Sequence, residues 1–359
     1  MSMSTTQTRR RDYRVTTTDG TAITYSLYGL SESEVARWAA FCASVFSYKA
    51  NPPSSSYFLR HYINDPNREA SFIRVAFDGE QIVASCRVFR RKISRGKGEY
   101  LQAGGIGEVC TDAGHRKRGL SAQLLKDAIE IVTDHGMEVS FLHAAPDFFP
   151  VYEKAGYIST TTKWSVATID RSVLIGSMND DSAAAVRLAQ FPKDTETLMA
   201  LHQRLSEHRF TGCICRSALY WNEYIRKELE GALYIFEQDD AIVAWLSVQS
   251  RGLNKLRVRD YGCVDNIVQG YEVLGMLLNR AIRGLPTESQ FQLLVPTFIL
   301  DEVQAAFKSR NLKDTYVDWS ATIIDDDRGW MYKQIGDSGL SMPDLSIVIP
   351  HLIWPADSF

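Results

Sequence analysis

Apolar side chains recur at helical spacing near the start of the chain. Residues 34–46 show this spacing, and Ser31 or Ser33 is available as an N-terminal cap. Residues 57–63 predict a second short helix, which ends before Pro66. The pattern predicts two consecutive helices before residue 70.

A different pattern follows, with short apolar or alternating runs. Residues 72–77 and 82–90 flank Asp78-Gly79, a dipeptide typical of tight hairpin turns. We therefore expect an antiparallel meander after the two helices.

The segment from residue 105 to residue 157 contains four consecutive elements. It predicts a strand at 107–111, a basic glycine turn at 116–121, a helix at 119–135 closed by Gly136, and a buried strand at 139–143. The helix has an apolar stripe that would pack on a sheet, formed by Leu120, Leu124, Ala128, Ile129 and Val132. The basic turn then lies where a strand meets a packed helix.

A weak internal repeat indicates two copies of one fold. The sequence VAFDGEQIVASCRV, from Val75, resembles YIFEQDDAIVAWLSV, from Tyr234, and a strand starting at Trp164 resembles one starting at Trp319. Both offsets are about 155 to 160 residues, the size of one domain. We expect an α/β (α+β) fold with two tandem domains, each a mixed, mostly antiparallel sheet flanked by helices.

The domain boundaries follow from breaks in these patterns. We expect a disordered tail at residues 1–12, a catalytic domain at 13–172 and a linker at 173–184. A degenerate second copy should follow at 185–346, and a C-terminal tail that folds back at 347–359.

Composition excludes several classes of protein. With 359 residues, 45% of them hydrophobic, the chain can bury two cores, and its net charge of −3 does not favour nucleic acid or an anionic membrane. No uncharged apolar run is long enough to span a bilayer. The six cysteines form neither a disulfide framework nor a zinc motif, and the Cys213-Ile-Cys215 pair has no partner ligands. We expect a cytoplasmic protein without a metal.

The basic turn has the chemistry of a phosphate site. Unpaired N–H groups at a helix N-terminus attract anions, and Gly119 and the small Ser121 allow close approach. Arg116, Lys117 and Arg118 add positive charge. The alternative is a basic loop that only caps a helix, but the strand before it and the amphipathic helix after it favour a diphosphate site.

The run Arg116-Lys-Arg-Gly119-Leu-Ser121 resembles the acetyl-CoA motif of the GCN5-related N-acetyltransferase (GNAT) superfamily, with Ser121 in place of Gly or Ala. Residues 150–157, PVYEKAGY, resemble its aromatic segment, which implies that Tyr152 protonates the departing thiolate. The resemblance implies further cofactor contacts at Val109, Cys110, Thr111, Leu120, Ala122 and Phe148. A phenol is also protonated at neutral pH, as this role requires.

The tandem arrangement is similar to the enhanced intracellular survival type of acetyltransferase. That resemblance implies a proton acceptor at the C-terminal carboxylate of Phe359, although the chain has no room for that family's sterol-carrier-like domain. Glu108, on the strand beside the acetyl site, is an alternative base, and His143 is another, whereas His115 is better explained as a helix-entry residue. The second copy has Asp265 where the first has cations, so it is expected to shape the acceptor cleft or a dimer surface.

These observations predict an acetyl-CoA-dependent N-acetyltransferase that acts on a primary amine of a small molecule or peptide. The amine would attack directly in a ternary complex. The alternative is a non-catalytic acyl-CoA-binding regulatory module. Nucleic-acid binding through Arg9–Arg11 and the basic turn is disfavoured by the acidic balance.

Overall fold

The computed structural model describes most of the chain. The described residues are 10–18, 20–49, 51–170, 185–264, 270–283, 285, 289–301, 317–336, 339 and 341–357. The predicted linker at 173–184, Asp265 and Phe359 lie outside them.

One large sheet belongs mainly to the N-terminal half. Its eight strands lie in the order β1-β2-β3-β4-β5-β6-β15-β7, and only β5 and β6 run parallel. The bounds are β1 Arg11–Thr16, β2 Ala22–Gly29, β3 Ile73–Asp78, β4 Gln81–Gly96, β5 Glu99–Thr111, β6 Val139–His143, β7 Ile158–Ser159 and β15 Trp330–Gln334.

The second sheet repeats this plan with seven strands. Their order is β14-β8-β13-β12-β11-β10-β9, with β12 and β13 as the parallel pair. The bounds are β8 Trp164–Asp170, β9 Val186–Leu188, β10 Leu233–Gln238, β11 Ala241–Gly252, β12 Lys255–Cys263, β13 Gln290–Pro296 and β14 Val317–Ile324. Two mixed, mostly antiparallel sheets flanked by helices confirm the predicted fold class.

The helices predicted at residues 34–46, 57–63 and 119–135 are present. The helices of the first half are α1 Val35–Val45, α2 Ser55–Asn64, α3 Leu120–Asp134 and α4 Phe149–Lys154. The described helices of the second half are α5 Thr195–His202, α6 Ala218–Tyr220, α7 Arg226–Leu229, α8 Gly270–Ile282 and α9 Met342–Val348. The α3 stripe packs on the sheet as expected, with Leu120, Leu124, Ala128 and Val132 buried.

The two halves exchange strands. β15, from the C-terminal half, pairs with β6 and β7 of the first sheet, and β8, which we expected to close the first domain, lies between β13 and β14 of the second. The sheets therefore cut across the boundary at residue 172, because strands of similar pattern occur in both copies. β1 also starts inside the predicted N-terminal tail, at Arg11, where pairing with β2 orders the backbone.

The C-terminal tail is anchored in the interior by a buried ion cluster. Two guanidinium nitrogens of Arg216 lie 2.7 Å from Asp357 and 2.6 Å from Asp260, and none of the three side chains is exposed. Trp245 Nε1 also donates to Asp260 at 2.9 Å. Because buried charges need partners, this cluster fixes the tail against the second half.

Replacing Arg216 with Met should lower the free energy of unfolding by about 3–5 kcal/mol, because two buried carboxylates lose their partner. Urea unfolding followed by circular dichroism measures this. The control is Arg204→Met at an exposed position, which should change stability by less than about 0.5 kcal/mol. Equal effects of the two substitutions would contradict a structural role for the cluster.

Candidate active site

Two parallel strands open into a V at the centre of the first sheet. β5 and β6 pair from Ala103↔Val139 to Ile106↔Leu142, and no described strand pairs with β5 on that side beyond this point. β5 continues to Thr111, still paired with β4 on its other edge. Its backbone groups in the V are therefore available to an extended ligand that carries amides.

A β-bulge lies inside the V. Ser85 pairs with Cys110 and Arg87 with Gly107, so Glu108 and Val109 together oppose the single residue between Ser85 and Arg87. Glu108 adopts a left-handed φ of 44°. The bulge changes the direction of the side chains next to the open edge.

The basic turn closes one end of the V. Gly119 has a φ of 77° and caps α3, and a Cβ there would lie 2.6 Å from the hydroxyl oxygen of Tyr13. Ser121 Oγ lies 2.9 Å from Thr111 Oγ1, which joins the turn to the strand. Arg118 bonds to the hydroxyl of Tyr25. Only glycine leaves a concave backbone here beside the N–H groups of a helix N-terminus.

The other two cations of the turn are exposed. Arg116 donates to Thr111 O at 3.3 Å, and Lys117 has a left-handed φ of 62°. His115 contacts Asp112 at 2.8 Å and Asp78 at 3.3 Å, as expected for a helix-entry residue. The hydrogen bond from His115 lowers the pKa of Asp112.

Tyr152 lies on the face of the sheet that carries α3. It belongs to α4 and packs against the cluster of Leu120 and Leu124, with its ring 6.1 Å from that of Tyr157. Burial raises the pKa of the Tyr152 phenol well above its usual value. Tyr157 lies deeper and shares a 2.7 Å hydrogen bond with Ser140. Because its pKa is raised, the Tyr152 phenol is protonated at physiological pH.

Glu108 lies on the opposite face. Its carboxylate is 3.7 Å from Arg87, which also contacts Asp65 at the end of α2. The side chain is only 6% exposed, and burial raises its pKa despite the attraction of Arg87. The sequence left its direction open, and the structure places it with α1 and α2.

The second half also lines this face, which the sequence did not reveal. Glu228 lies 3.0 Å from His61 Nε2 of α2 and 3.1 Å from Arg259. Burial alone would raise the pKa of Glu228, but His61 and Arg259 lower it to about 2. Burial raises the pKa of Tyr57, on α2, to about 12. This face of the sheet, the α2 face, is thus assembled from both halves of the chain.

The remaining residues predicted to contact the cofactor differ in which of their groups are accessible. Cys110 and Leu120 are buried, with Cys110 Sγ 4.0 Å from Cys42 Sγ, so that only their backbone groups face the V. Val109 packs on the α3 side, and Phe148 is 54% exposed beside α4. Ala122 lines a groove of about 530 Å³ between α3 and α4, together with Lys126, Val151, Lys154 and Lys333.

The described residues contain no cluster of three or more His, Cys, Asp or Glu side chains that could hold a metal ion. Within that same part of the chain, no helix is long and apolar enough to cross a membrane.

Comparison with known families agrees with this geometry. Residues 27–159 match the family model of the Acetyltransferase (GNAT) domain. These residues form a GNAT acetyltransferase domain. The family transfers acetyl groups from acetyl-CoA, and the matched region contains the V, the basic turn and Tyr152.

Relatives of the GNAT domain extend the comparison. An uncharacterized N-acetyltransferase of Streptomyces avermitilis is 30% identical over 93 residues, which are 25% of this chain and 22% of that protein. The chain therefore aligns with less than a quarter of that relative's length.

Solved structures match the fold over both halves. A GCN5-related N-acetyltransferase from Anabaena variabilis has a TM-score of 0.62 at 14% identity, covering 87% of this chain and 73% of that one. Eis1 from Mycobacterium abscessus has a TM-score of 0.54 at 14% identity, with the same two coverages. The match beyond the GNAT domain supports the predicted tandem arrangement.

The two glycines that flank α3 give a matched test of how closely Tyr13 packs on the turn. Gly119 and Gly136 both have left-handed φ values, but only Gly119 has an atom within 4 Å of its Cβ position. Gly136→Ala should cost about 1–2 kcal/mol of stability from backbone strain. Gly119→Ala should cost measurably more, because Tyr13 must also move. Thermal and urea unfolding measure both, and equal losses would contradict the close approach of Tyr13.

Proposed function

We propose that the protein is an acetyl-CoA-dependent N-acetyltransferase that acts on a primary amine of a small molecule or peptide. The observation that carries this proposal is the open edge of β5, which ends at a glycine turn shaped for a diphosphate. A linear ligand with amides at one end and a pyrophosphate at the other fits this order of groups.

The residues of the V suit this donor. Backbone groups of Val109, Cys110 and Thr111 would bind the pantetheine amides. The N–H groups from Gly119 to Ala122 would bind the pyrophosphate, with charge from Arg116, Lys117 and Arg118. The donor supplies an acyl thioester, which an amine can attack without a covalent enzyme intermediate.

The two faces of the sheet support a division of roles. Tyr152 lies on the α3 face and is protonated, so it can donate a proton to the departing thiolate. Glu108 and Glu228 lie on the α2 face, where their carboxylates, each paired with an arginine, offer hydrogen-bond acceptors to an amine. The amine would thus enter from one face while the thiolate is protonated from the other. A proton-accepting role for Glu108 or for the Phe359 carboxylate stays a prediction.

Donor binding is tested with the same two glycines. Gly119→Asp should weaken acetyl-CoA binding by about 100-fold or more, because it displaces Tyr13, strains the turn and adds a negative charge beside the proposed pyrophosphate site. Gly136→Asp, at the far end of α3, should bind as the unaltered protein does. Isothermal titration calorimetry measures both. The proposal fails if the unaltered, folded protein gives no heat with millimolar acetyl-CoA.

Tyr152→Phe separates chemistry from binding. It should lower kcat by about 10²-fold or more and leave the Kd for acetyl-CoA unchanged, because only the proton donor is lost. Thiol release with a panel of polyamines, amino acids, aminoglycosides and peptides measures turnover.

The control is Tyr157→Phe, which removes a neighbouring buried hydroxyl and should reduce stability more than kcat. A donor that binds without turnover on any amine would favour the regulatory module instead.

A further inference from the structure

His143 ends β6 at the fork of the V. The pairing of β5 with β6 stops at Ile106↔Leu142, so His143 is the next residue on its arm and Gly107 the next on the other. Leu142 packs with α3, and Phe141 packs with the second half. Because side chains alternate along a strand, His143 lies with Phe141 on the α2 face. The imidazole is 45% exposed and rests against Trp330, at a ring distance of 4.8 Å.

Arg87, Gly107 and His143 lie side by side on three adjacent strands, β4, β5 and β6. Arg87 pairs with Gly107, and antiparallel partners point to the same face of a sheet. Because Gly107 has no side chain and adjacent strands lie about 4.8 Å apart, a gap of about 10 Å or more separates the Cα atoms of Arg87 and His143. Glu108 borders this gap from the Arg87 side. A small amine above Gly107 would contact both arms of the V.

A carboxylate from the second half fixes the imidazole. His143 Nε2 lies 3.0 Å from both oxygens of Asp327, and Gly329 N donates to Asp327 Oδ1 at 2.8 Å. Two backbone hydrogen bonds hold Asp327 to Thr162, at 2.8 and 2.9 Å. With Nε2 donating to Asp327, the ring leaves Nδ1 as its acceptor nitrogen.

Gly329 allows this contact. A Cβ at Gly329 would lie 2.6 Å from His143 Nε2 and 2.7 Å from Ala144 O, while Ala144 N donates to Gly329 O at 2.9 Å. The loop that carries Asp327 therefore packs directly on the end of β6. The His143–Asp327 contact therefore differs from a surface ion pair, in which both side chains are flexible.

We propose that His143 is the general base for the acceptor amine and that Asp327 is its positioning residue. This inference rests on the proposed acetyl transfer. Glu108 is less suited, because its side chain is only 6% exposed and its carboxylate faces Arg87, whereas the His143 side chain is 45% exposed at the fork of the V. The arrangement of base and orienting carboxylate is that of a His–Asp dyad.

Two residues, His143 and Tyr152, account for the protons that move in the proposed reaction. As the amine nitrogen bonds to the acyl carbon and the carbon–sulfur bond breaks, one N–H proton passes to His143 Nδ1. The departing sulfur takes the hydroxyl proton of Tyr152. His143 then loses its proton to solvent and Tyr152 regains one. No oxidant, reductant or metal is needed.

The charges around the dyad keep Asp327 ionised. Burial alone would raise the pKa of Asp327, but the bonds from His143 and Gly329 and the charge of Arg257 lower it below its usual value. His351 also acts on this pair, but burial lowers its pKa to about 3, so that it is neutral at physiological pH. It bonds to Thr162 at 2.6 Å and to Tyr332 at 2.7 Å.

Kinetics test the roles of the two residues. His143→Gln should lower kcat by about 10²-fold or more, leave KM for acetyl-CoA unchanged and remove the acidic limb of the kcat/KM profile. Asp327→Asn should lower kcat less, because the imidazole stays at the fork of the V but loses the carboxylate that orients it. The control is His135→Gln, at the exposed end of α3, which should leave both unchanged. Glu108→Gln should retain the limb.

A second readout does not need turnover. The chain has seven histidines, so ¹⁵N-histidine labelling gives a spectrum in which His143→Gln identifies the His143 ring signals. We expect a proton on Nε2, loss of this fixed tautomer in Asp327→Asn, and a shift of the His143 signals when acetyl-CoA is added. The His135 signals should not shift.

The outcomes separate the two proposals. If calorimetry detects no acetyl-CoA binding, the proposed function is wrong and the dyad has no reaction to serve. If acetyl-CoA binds but the His143 signals do not move, the dyad does not lie at the acyl end. If the acidic limb survives in His143→Gln and disappears in Glu108→Gln, the base is Glu108.

Discussion

The insertion of β15 between β6 and β7 is the constraint on which the first sheet depends. A strand has two hydrogen-bonding edges, and β6 uses one for β5 and the other for β15, from Trp330↔His143 to Gln334↔Val139. Without β15, the outer edge of β6 and the short strand β7 would lose their described partner. The N-terminal half therefore completes its sheet only with a strand from the C-terminal half, and β8 of the N-terminal half joins the second sheet in turn.

This exchange also explains why the V stays open. β5 is held on its far side by β4, through pairs that continue to Thr111, while β6 is held on its far side by β15 as far as His143. Each arm of the V is thus fixed by its outer neighbour, and the bulge at Glu108 turns β5 away from β6. The open edge does not depend on a ligand to keep the strands apart. A site built on two anchored strands is pre-organised for an extended ligand.

The parts of the molecule that the sequence predicted are those set by local chemistry. The β3–β4 hairpin, the stripe of α3, and the left-handed Gly119 before it all follow from residues close together in the chain. The strand exchange does not, because the pairing of β15 with β6 and of β8 with β13 joins segments that lie far apart in the chain. Asp327 and Glu228 were missed for the same reason: their importance comes from pairing between distant segments. The direction of Glu108 was also unpredictable, since a bulge breaks the alternation of side chains.

The two faces of the first sheet consequently have different origins. The face with the basic turn and Tyr152 comes from a continuous segment inside the region that matches the GNAT family model. The α2 face combines α2 and the end of β6 with Glu228, Arg259 and Asp327 of the second half. The family match to residues 27–159 therefore covers the first face, whereas three charged side chains of the second face lie outside it. The second half contributes a strand to the first sheet and two carboxylates, Glu228 and Asp327, to its α2 face.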